Sequence, residues 1–183
     1  MAVQIGARPD CGFDDPIGML KDCHRRIERF LNILWIVADR ARGRALTGEE
    51  KSAVQAAMSY FQLGGKRHTA DEEESLFPRL RAALASDGCE EVSGLEDDHR
   101  RANKLHLTVD SLYSAWIEAG RLSSENEERL QSATIELKKL YEAHIKIEEG
   151  TVFPRAAQML DSQTIVAIGE ELRARRMELP STS

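Results

Sequence analysis

The sequence of 183 residues lacks the features that define several large classes of protein. Its longest apolar stretch, residues 33–38, is far shorter than the ~18 residues that a membrane-spanning helix needs. Its three cysteines, Cys11, Cys23 and Cys89, are an odd number without CxxC spacing, which excludes a disulfide-dense scaffold and favours a reducing cytoplasm. The first ten residues carry no charged segment followed by an apolar one, so the sequence predicts no secretion signal.

The sequence also lacks an excess of positive charge. Its 25 Lys and Arg residues against 31 Asp and Glu residues give a net charge of −6. Nucleic-acid binding needs a basic face for phosphate contacts, so nucleic acid is not an expected partner. A membrane is not expected either, because the apolar stretches are too short. The length and the ordinary hydrophobic (42%) and charged (31%) fractions predict a single domain over residues 1–183, with its core at about 15–176 and flexible termini.

Strand-type alternation is missing as well, and apolar residues recur at helical spacing along most of the chain. Capping patterns begin at Asp15, Thr47, Ser93 and Ser124, and Gly43, the pair Asp87-Gly88 and Gly120 are stop signals. These signals predict helices over about 15–43, 47–84, 93–120, 124–151 and, shorter, 165–176. Four long helices with short connections predict an all-α, up-down antiparallel four-helix bundle with a short C-terminal helix.

An internal repeat relates the two halves of the chain by an offset of about 75 residues. The matched positions are His24 with His99, His68 with His144, Glu72 with Glu148, and Phe77-Pro78 with Phe153-Pro154. The repeat predicts a bundle with internal two-fold symmetry, in which matched residues face each other across the core.

Six residues of the repeat form a candidate metal site: His24, His68, Glu72, His99, His144 and Glu148. Residues i and i+4 lie on one helix face, so each His-x-x-x-Glu pair can reach one metal or two adjacent metals. A solvated acidic face would explain one such pair, but not two in register, each matched to a histidine one helix earlier. Inward placement of all six groups would require a cation, because buried Glu is rare unless it is paired or ligating. Imidazole with carboxylate suits iron, manganese or zinc.

The order His, His-x-x-x-Glu, His, His-x-x-x-Glu, with Phe-Pro after each Glu, resembles the hemerythrin-like, or HHE cation-binding, domain over roughly 15–176. The resemblance implies an up-down four-helix bundle that holds a non-haem di-iron centre, with manganese or zinc less favoured. It also implies that the six residues above are the ligands of two Fe ions, and that Glu72 and Glu148 bridge them together with an oxo group.

One position departs from the oxygen-carrying members of that family. Asn103 stands where those proteins have a second histidine on the third helix, one turn after His99. Two coordination positions of an octahedral metal pair then stay open instead of one, and open positions can bind oxygen, nitric oxide or peroxide. The set of four His and two Glu is closer to that of iron-centre repair proteins, although their usual cysteine-bearing N-terminal domain is not among these residues.

Two functional classes therefore stay open. In the first, the protein is a monomer or homodimer that binds or senses oxygen, nitric oxide or iron. In the second, it is an enzyme or repair factor that acts on peroxide, nitric oxide or damaged iron–sulfur clusters. A ferritin-like site is disfavoured because Glu-x-x-His occurs once, at Glu96 and His99, and neither a zinc-protease nor a haem-attachment motif is present.

Residues near the candidate ligands have two interpretations each. Tyr141, one turn before His144, either points toward the metals or packs in the bundle. His106 is either an alternative ligand or a hydrogen-bonded boundary histidine. The pair Gly64-Gly65 is costly within a helix, so it either bends the second helix or opens a path to one metal.

Pro78 and Pro154 either kink their helices or end them, because proline cannot donate a helical hydrogen bond. Phe77 and Phe153 are expected to cover the site with apolar surface. Cys23 is expected to be a buried structural thiol. In the acidic run 71–74, Glu72 is expected to point inward and the other three residues outward.

Overall fold

The computed structural model describes residues 11–84 and 89–177, and over these residues the protein is an all-α bundle without strands. Helix α1 is Pro16–Arg40, α2 spans 48–83, α3 is Cys89–Ala119, α4 spans 124–159 and α5 is Ser162–Met177. Among the described helices, none is both long enough and apolar enough to cross a membrane. The stop signal at Asp87-Gly88 and the outermost residues of both termini lie outside the described residues.

Neighbouring helices of the bundle run antiparallel. Contacts between side chains, each no longer than 3.4 Å, show these directions. Between α1 and α4 they are Asp39–Gln131 and His24–Glu149. Between α2 and α3 they are Gln62–Asp110 and Glu73–His99. In each set the residue numbers rise along one helix while they fall along the other. The up-down antiparallel arrangement predicted from the sequence is therefore the observed one.

Two helix starts agree with the predicted capping patterns. The Asp15 carboxylate accepts a hydrogen bond from the Gly18 backbone N–H (2.9 Å) at the start of α1. Thr47 and Glu50 form a reciprocal capping box at the start of α2, with hydrogen bonds of 3.2 and 2.8 Å. Gly43, after the end of α1, has a φ of 75°, which favours glycine over other residues.

Two other predicted capping residues were wrong, although the helix predicted from residue 124 does begin there. Helix α3 begins at Cys89, so Ser93 lies inside the helix and does not cap it. The acidic residues Glu90 and Glu91 occupy the first turn, where they interact favourably with the helix dipole. Val92, directly before Ser93, is buried in the core (1% exposed). The helix therefore begins earlier in the sequence than the polar pattern suggested.

Helix α4 is capped by Ser123, not by Ser124. The Ser123 hydroxyl accepts a hydrogen bond from the Asn126 backbone N–H (3.3 Å). Glu127, which the predicted capping box would use, instead accepts a hydrogen bond from the backbone N–H of Gly43 (2.6 Å). A long-range contact thus overrides the local pattern and ties the loop after α1 to α4.

Both helices with a Phe-Pro pair continue past the proline. Helix α2 reaches residue 83 and α4, predicted to end near residue 151, reaches residue 159. A π-helical segment directly precedes each pair, namely Asp71–Leu76 before Pro78 and Glu148–Val152 before Pro154. The wider π turn accommodates a residue that lacks an N–H and would crowd an α-helical turn.

The apolar core has two parts, and the candidate metal site lies between them. Along α1, Leu20 belongs to one part, Ile27 to the other, and His24 comes between the two. Helix α3 repeats this order around His99. The polar site is therefore closed above and below by apolar side chains.

We expect truncation of the core to destabilise the protein strongly. Leu34 is fully buried (0% exposed), and Leu34→Ala should lower the free energy of unfolding by about 2–5 kcal/mol because it leaves a cavity. The matched control is Leu107→Ala, whose side chain is 65% exposed, and its effect should stay within about 0.5 kcal/mol. Chemical denaturation measures both, and equal effects would contradict the assigned core.

Candidate metal centre

All six residues singled out in the sequence meet in the interior of the bundle. None is more than 8% exposed: His24, His68, Glu72, His99, His144 and Glu148. Helices α1 and α3 each contribute one histidine, and α2 and α4 each contribute a His-x-x-x-Glu pair. The local spacing predicted the pairs, and the antiparallel packing brings them together.

The six side chains form two overlapping clusters. In the first cluster, His24, His68, Glu72 and Glu148 offer ligand atoms within 4.8 Å of one another. The second cluster has the same compactness and consists of Glu72, His99, His144 and Glu148. Both carboxylates belong to both clusters, as bridging carboxylates between two cations must.

The two oxygens of Glu72 are directed to different clusters. Its Oε1 lies 3.3 Å from His68 Nε2, while its Oε2 lies 3.4 Å from His99 Nε2. This arrangement allows one oxygen of the same carboxylate to face each of two neighbouring cations.

Several buried polar atoms of the site have no hydrogen-bond partner. They include both carboxylate oxygens of Glu72 and of Glu148, and Nε2 of His24. His24 Nε2 comes within 3.1 Å of a Glu148 oxygen, but the direction does not suit a hydrogen bond. A buried group left in this way costs about 1–3 kcal/mol, and more when it is charged. A pair of cations would satisfy all these atoms, so the residues present fit a two-metal centre.

Two further glutamates fix the orientation of the histidine rings. Glu149 Oε1 lies 2.8 Å from His24 Nδ1, and Glu73 Oε1 lies 2.8 Å from His99 Nδ1. With Nδ1 engaged, Nε2 of each ring is directed to the interior. Such outer carboxylates orient metal-binding histidines and increase their basicity.

Helical spacing alone does not indicate this orienting role. Each orienting carboxylate directly follows a candidate bridging glutamate, and the doublet Glu-Glu occurs at both copies of the repeat. This repeated doublet is the sequence feature that could have indicated the orienting role. The partners, however, are on neighbouring helices, so only the packing identifies which histidine each one contacts.

Asp71 was expected to point outward and is instead fully buried (0% exposed). Its carboxylate accepts hydrogen bonds from Arg175 (2.5 Å) and Arg176 (2.6 Å) of α5. Arg175 also donates to the Ser75 hydroxyl (2.8 Å). The error has a physical cause, because Asp71 opens a π segment and the ordinary helical period does not describe which side it faces. Helix α5 thus holds the segment that carries Glu72.

Aromatic rings cover one end of the site, as expected. The Phe153 ring stacks on His24 with 5.5 Å between centroids, and the Phe77 ring stacks on His99 at 6.3 Å. Both phenylalanines are buried, with exposures of 1% and 0%. They exclude water from that end of the candidate centre.

Cys23 is buried, as predicted for a structural thiol. Burial raises the pKa of its thiol above the usual value, although Arg26 opposes the shift. A thiol that stays protonated is a weak nucleophile and a weak metal ligand.

At the other end of the site, Tyr141 and His106 form a pair. The Tyr141 oxygen lies 3.2 Å from His106 Nε2. His106 belongs to neither cluster, so it is the hydrogen-bonded boundary histidine of the two interpretations. Burial lowers the pKa of His106 to about 4 and raises that of Tyr141. Both groups are therefore neutral at pH 7.

A cavity of about 570 Å³ lies beside this pair, with Gly65 and His99 in its wall. Gly64 and Gly65 close a π-helical segment, Phe61–Gly65. A Cβ atom at Gly64 would come within 2.8 Å of the Tyr60 ring. Close packing against Tyr60 therefore explains the glycine at position 64. Gly65 lies in the cavity wall, which supports the interpretation that the glycine pair opens a path to one metal.

Without a metal, two histidines of the site, His24 and His99, carry charge. Burial opposes protonation of His24, but Glu148 and Glu72 outweigh it and raise the pKa of the ring to about 10. Burial also opposes protonation of His99, yet Glu72 raises its pKa to about 9. His68, in contrast, is neutral at pH 7 because burial lowers its pKa to about 4.

Comparison with known proteins gives two findings. Residues 15–159, well over half of the chain, match the family model described as the hemerythrin HHE cation binding domain. A protein of Haemophilus influenzae, described as uncharacterized, is 28% identical over 165 residues, which cover 90% of this chain and 91% of that protein.

We expect metal binding to release protons. A cation binds only neutral imidazole, and both His24 (pKa about 10) and His99 (pKa about 9) are protonated at pH 7 in the metal-free protein. Loading both clusters at pH 7 should therefore release about two protons, and the affinity should rise with pH up to about 9–10. Calorimetry in buffers of different ionisation enthalpy counts the protons, and an affinity independent of pH would contradict the assignment.

Loss of an orienting carboxylate should weaken metal binding without unfolding the protein. We expect Glu149→Ala to lower metal affinity about 10–100-fold, because the His24 ring loses the partner that fixes it. Glu142→Ala is the matched control on the same helix, since that side chain is exposed and makes only a 3.7 Å ion pair with Lys138. Chelator competition measures the affinities, and circular dichroism checks the fold. Similar affinities for the two variants would rule out the orienting role.

Proposed function

The chain belongs to the hemerythrin HHE cation-binding domain family, and on this premise we propose that it holds two iron ions and binds or senses a small ligand such as oxygen or nitric oxide there. The proposed ligands are His24, His68, Glu72, His99, His144 and Glu148. Glu72 and Glu148 would bridge the ions, and the four imidazoles would complete the two sets.

One observation carries this proposal. Two fully buried carboxylates are shared by two pairs of histidines, and none of their four oxygens has a hydrogen-bond partner. A structural polar cluster would instead leave these oxygens paired, because an unpaired buried carboxylate is strongly unfavourable. Their arrangement therefore supports a centre that is completed by cations.

The donor set is compatible with iron without requiring it. Imidazole and carboxylate donors also suit manganese and zinc, whereas iron is the usual metal that the family suggests. When bound, a pair of iron ions supplies open coordination positions and reversible electron transfer to a small ligand.

The protein contributes orientation and exclusion of water. Glu149 and Glu73 hold the rings of His24 and His99 in place. Phe77 and Phe153 close one end of the site. On the other side, Asn103 occupies a position one turn after His99, and its side chain is part of a cavity wall and not of either cluster.

A second function is favoured by the size of that cavity. At about 570 Å³, it has room for much more than a diatomic molecule. The alternative is therefore a di-iron enzyme or repair factor that acts on peroxide, nitric oxide or damaged iron–sulfur clusters.

The metal content of the protein, purified from iron-supplemented cells, tests the proposal first. We expect about two iron ions per chain, because two clusters share two carboxylates, and we expect an oxo bridge between the ions to give an absorption band in the near ultraviolet. Glu148→Ala should lose most of the iron, since this carboxylate belongs to both clusters, while Glu142→Ala on the same helix should keep it. Absence of stoichiometric metal, or one zinc per chain, would refute the di-iron assignment.

Ligand titrations then separate the two functions. Reversible binding of oxygen or nitric oxide without consumption of the ligand would support a carrier or sensor. Turnover of peroxide, or restoration of iron to a metal-free iron–sulfur protein, would support the enzyme or repair factor.

A further inference from the structure

The two halves of the candidate centre differ in their contact with the large cavity. The cavity of about 570 Å³ has His99 of the second cluster in its wall. Of the six candidate ligands, His99 alone is part of this wall, so the cavity meets the centre on the side of the second cluster. The repeat thus makes the two clusters alike in their donors, while the space beside them is not symmetric.

The residues that create the opening occur in one half only. Asn103, one turn after His99, is exposed and forms part of the cavity wall. Its counterpart one turn after His24 is Glu28, an exposed residue on the outside of α1 and not part of that wall. Gly65, which the repeat matches to Tyr141, also lies in the wall, and a Cβ atom there would come within 3.4 Å of the Phe61 ring.

The pair of His106 and Tyr141 lies in the wall of this cavity. One hydrogen bond joins His106 Nε2 and the Tyr141 oxygen (3.2 Å), and His106 Nδ1 is buried without a partner. If the tyrosine donates, the neutral ring carries its hydrogen on Nδ1, and that hydrogen is unused. If the ring donates from Nε2, the tyrosine O–H is unused. Since His106 Nδ1 is fully buried, a ligand in the cavity is served by the second tautomer, in which the tyrosine O–H is free to donate.

Charge at the cavity wall does not select a ligand of one sign. Lys66 and Arg100 contribute positive groups, and Glu73 and Asp110 contribute negative ones. The available donor and the volume are therefore the features that define what fits, namely a small polar molecule with a hydrogen-bond acceptor.

We propose that this cavity is the ligand-binding site of the centre. A small polar molecule with a hydrogen-bond acceptor enters beside Asn103, reaches the metal position of the second cluster, and accepts a hydrogen bond from the His106–Tyr141 pair. The inference rests on the proposed function, because it requires metal in the second cluster. It adds that the two metal positions are not equivalent and that the position beside His24 and His68 is not the entry side.

Azide binding to the iron-loaded protein tests the entry side. Asn103→Trp places a large ring at the cavity mouth, and it should weaken or slow azide binding at least tenfold, followed by absorbance. Glu28→Trp is the matched control at the counterpart position on α1 and should leave azide binding unchanged. Both substitutions lie at exposed helix positions, so the fold should be kept.

A second pair of variants tests the hydrogen bond. Tyr141→Phe removes the hydroxyl and should weaken azide binding about tenfold, the effect of one hydrogen bond to a charged ligand, and it should shift the infrared stretch of bound azide. Tyr60→Phe is the matched control, because the Tyr60 hydroxyl donates to the Cys23 carbonyl (3.2 Å) and lies outside the cavity wall.

Iron content, measured for every variant, separates the possible failures. If the unsubstituted protein holds no iron, the proposed function itself fails. If all variants hold two iron ions and Asn103→Trp binds azide like the unsubstituted protein, only the assignment of the cavity fails. Weaker binding by Glu28→Trp alone would place the entry in the other half of the centre and overturn the inference.

Discussion

The structure depends on two buried carboxylates that four imidazoles share. Glu72 and Glu148 lie in the centre of an apolar bundle without hydrogen-bond partners, a placement that is strongly unfavourable unless cations accompany it. Two of the four histidines around them, His24 and His99, are held by Glu149 and Glu73, which sit at the edge of the site. Charge is thus arranged in layers, with negative groups outside, imidazoles between, and negative groups again at the centre.

The π-helical segments make this arrangement possible. An α-helix that meets proline would lose a hydrogen bond and crowd the preceding turn. In α2 and α4 the turn before each Phe-Pro pair is wider, and these turns carry the two central carboxylates. One glutamate of each doublet reaches the centre while the next contacts a histidine of a neighbouring helix. The same segments also direct Phe77 and Phe153 onto the histidine rings.

Helix α5 extends this support from outside the four-helix bundle. It follows residue 159, where the match to the family ends. Arg175 and Arg176 neutralise the buried Asp71, the residue directly before Glu72. A buried carboxylate without such partners would destabilise the π segment. The position of a central carboxylate therefore depends on an element that lies far from it in the sequence.

The sequence by itself determined the all-α bundle, the internal repeat and the six polar residues that meet inside it. These features follow from spacing along one helix and from repetition, which are local properties of a chain. Tertiary structure decided the rest. Asp71 turned inward because the π turn departs from the ordinary helical period, and Glu127 contacts Gly43 because two distant segments pack together. The roles of Glu73 and Glu149, and the cavity beside His99, depend on contacts between helices that no spacing within one helix encodes.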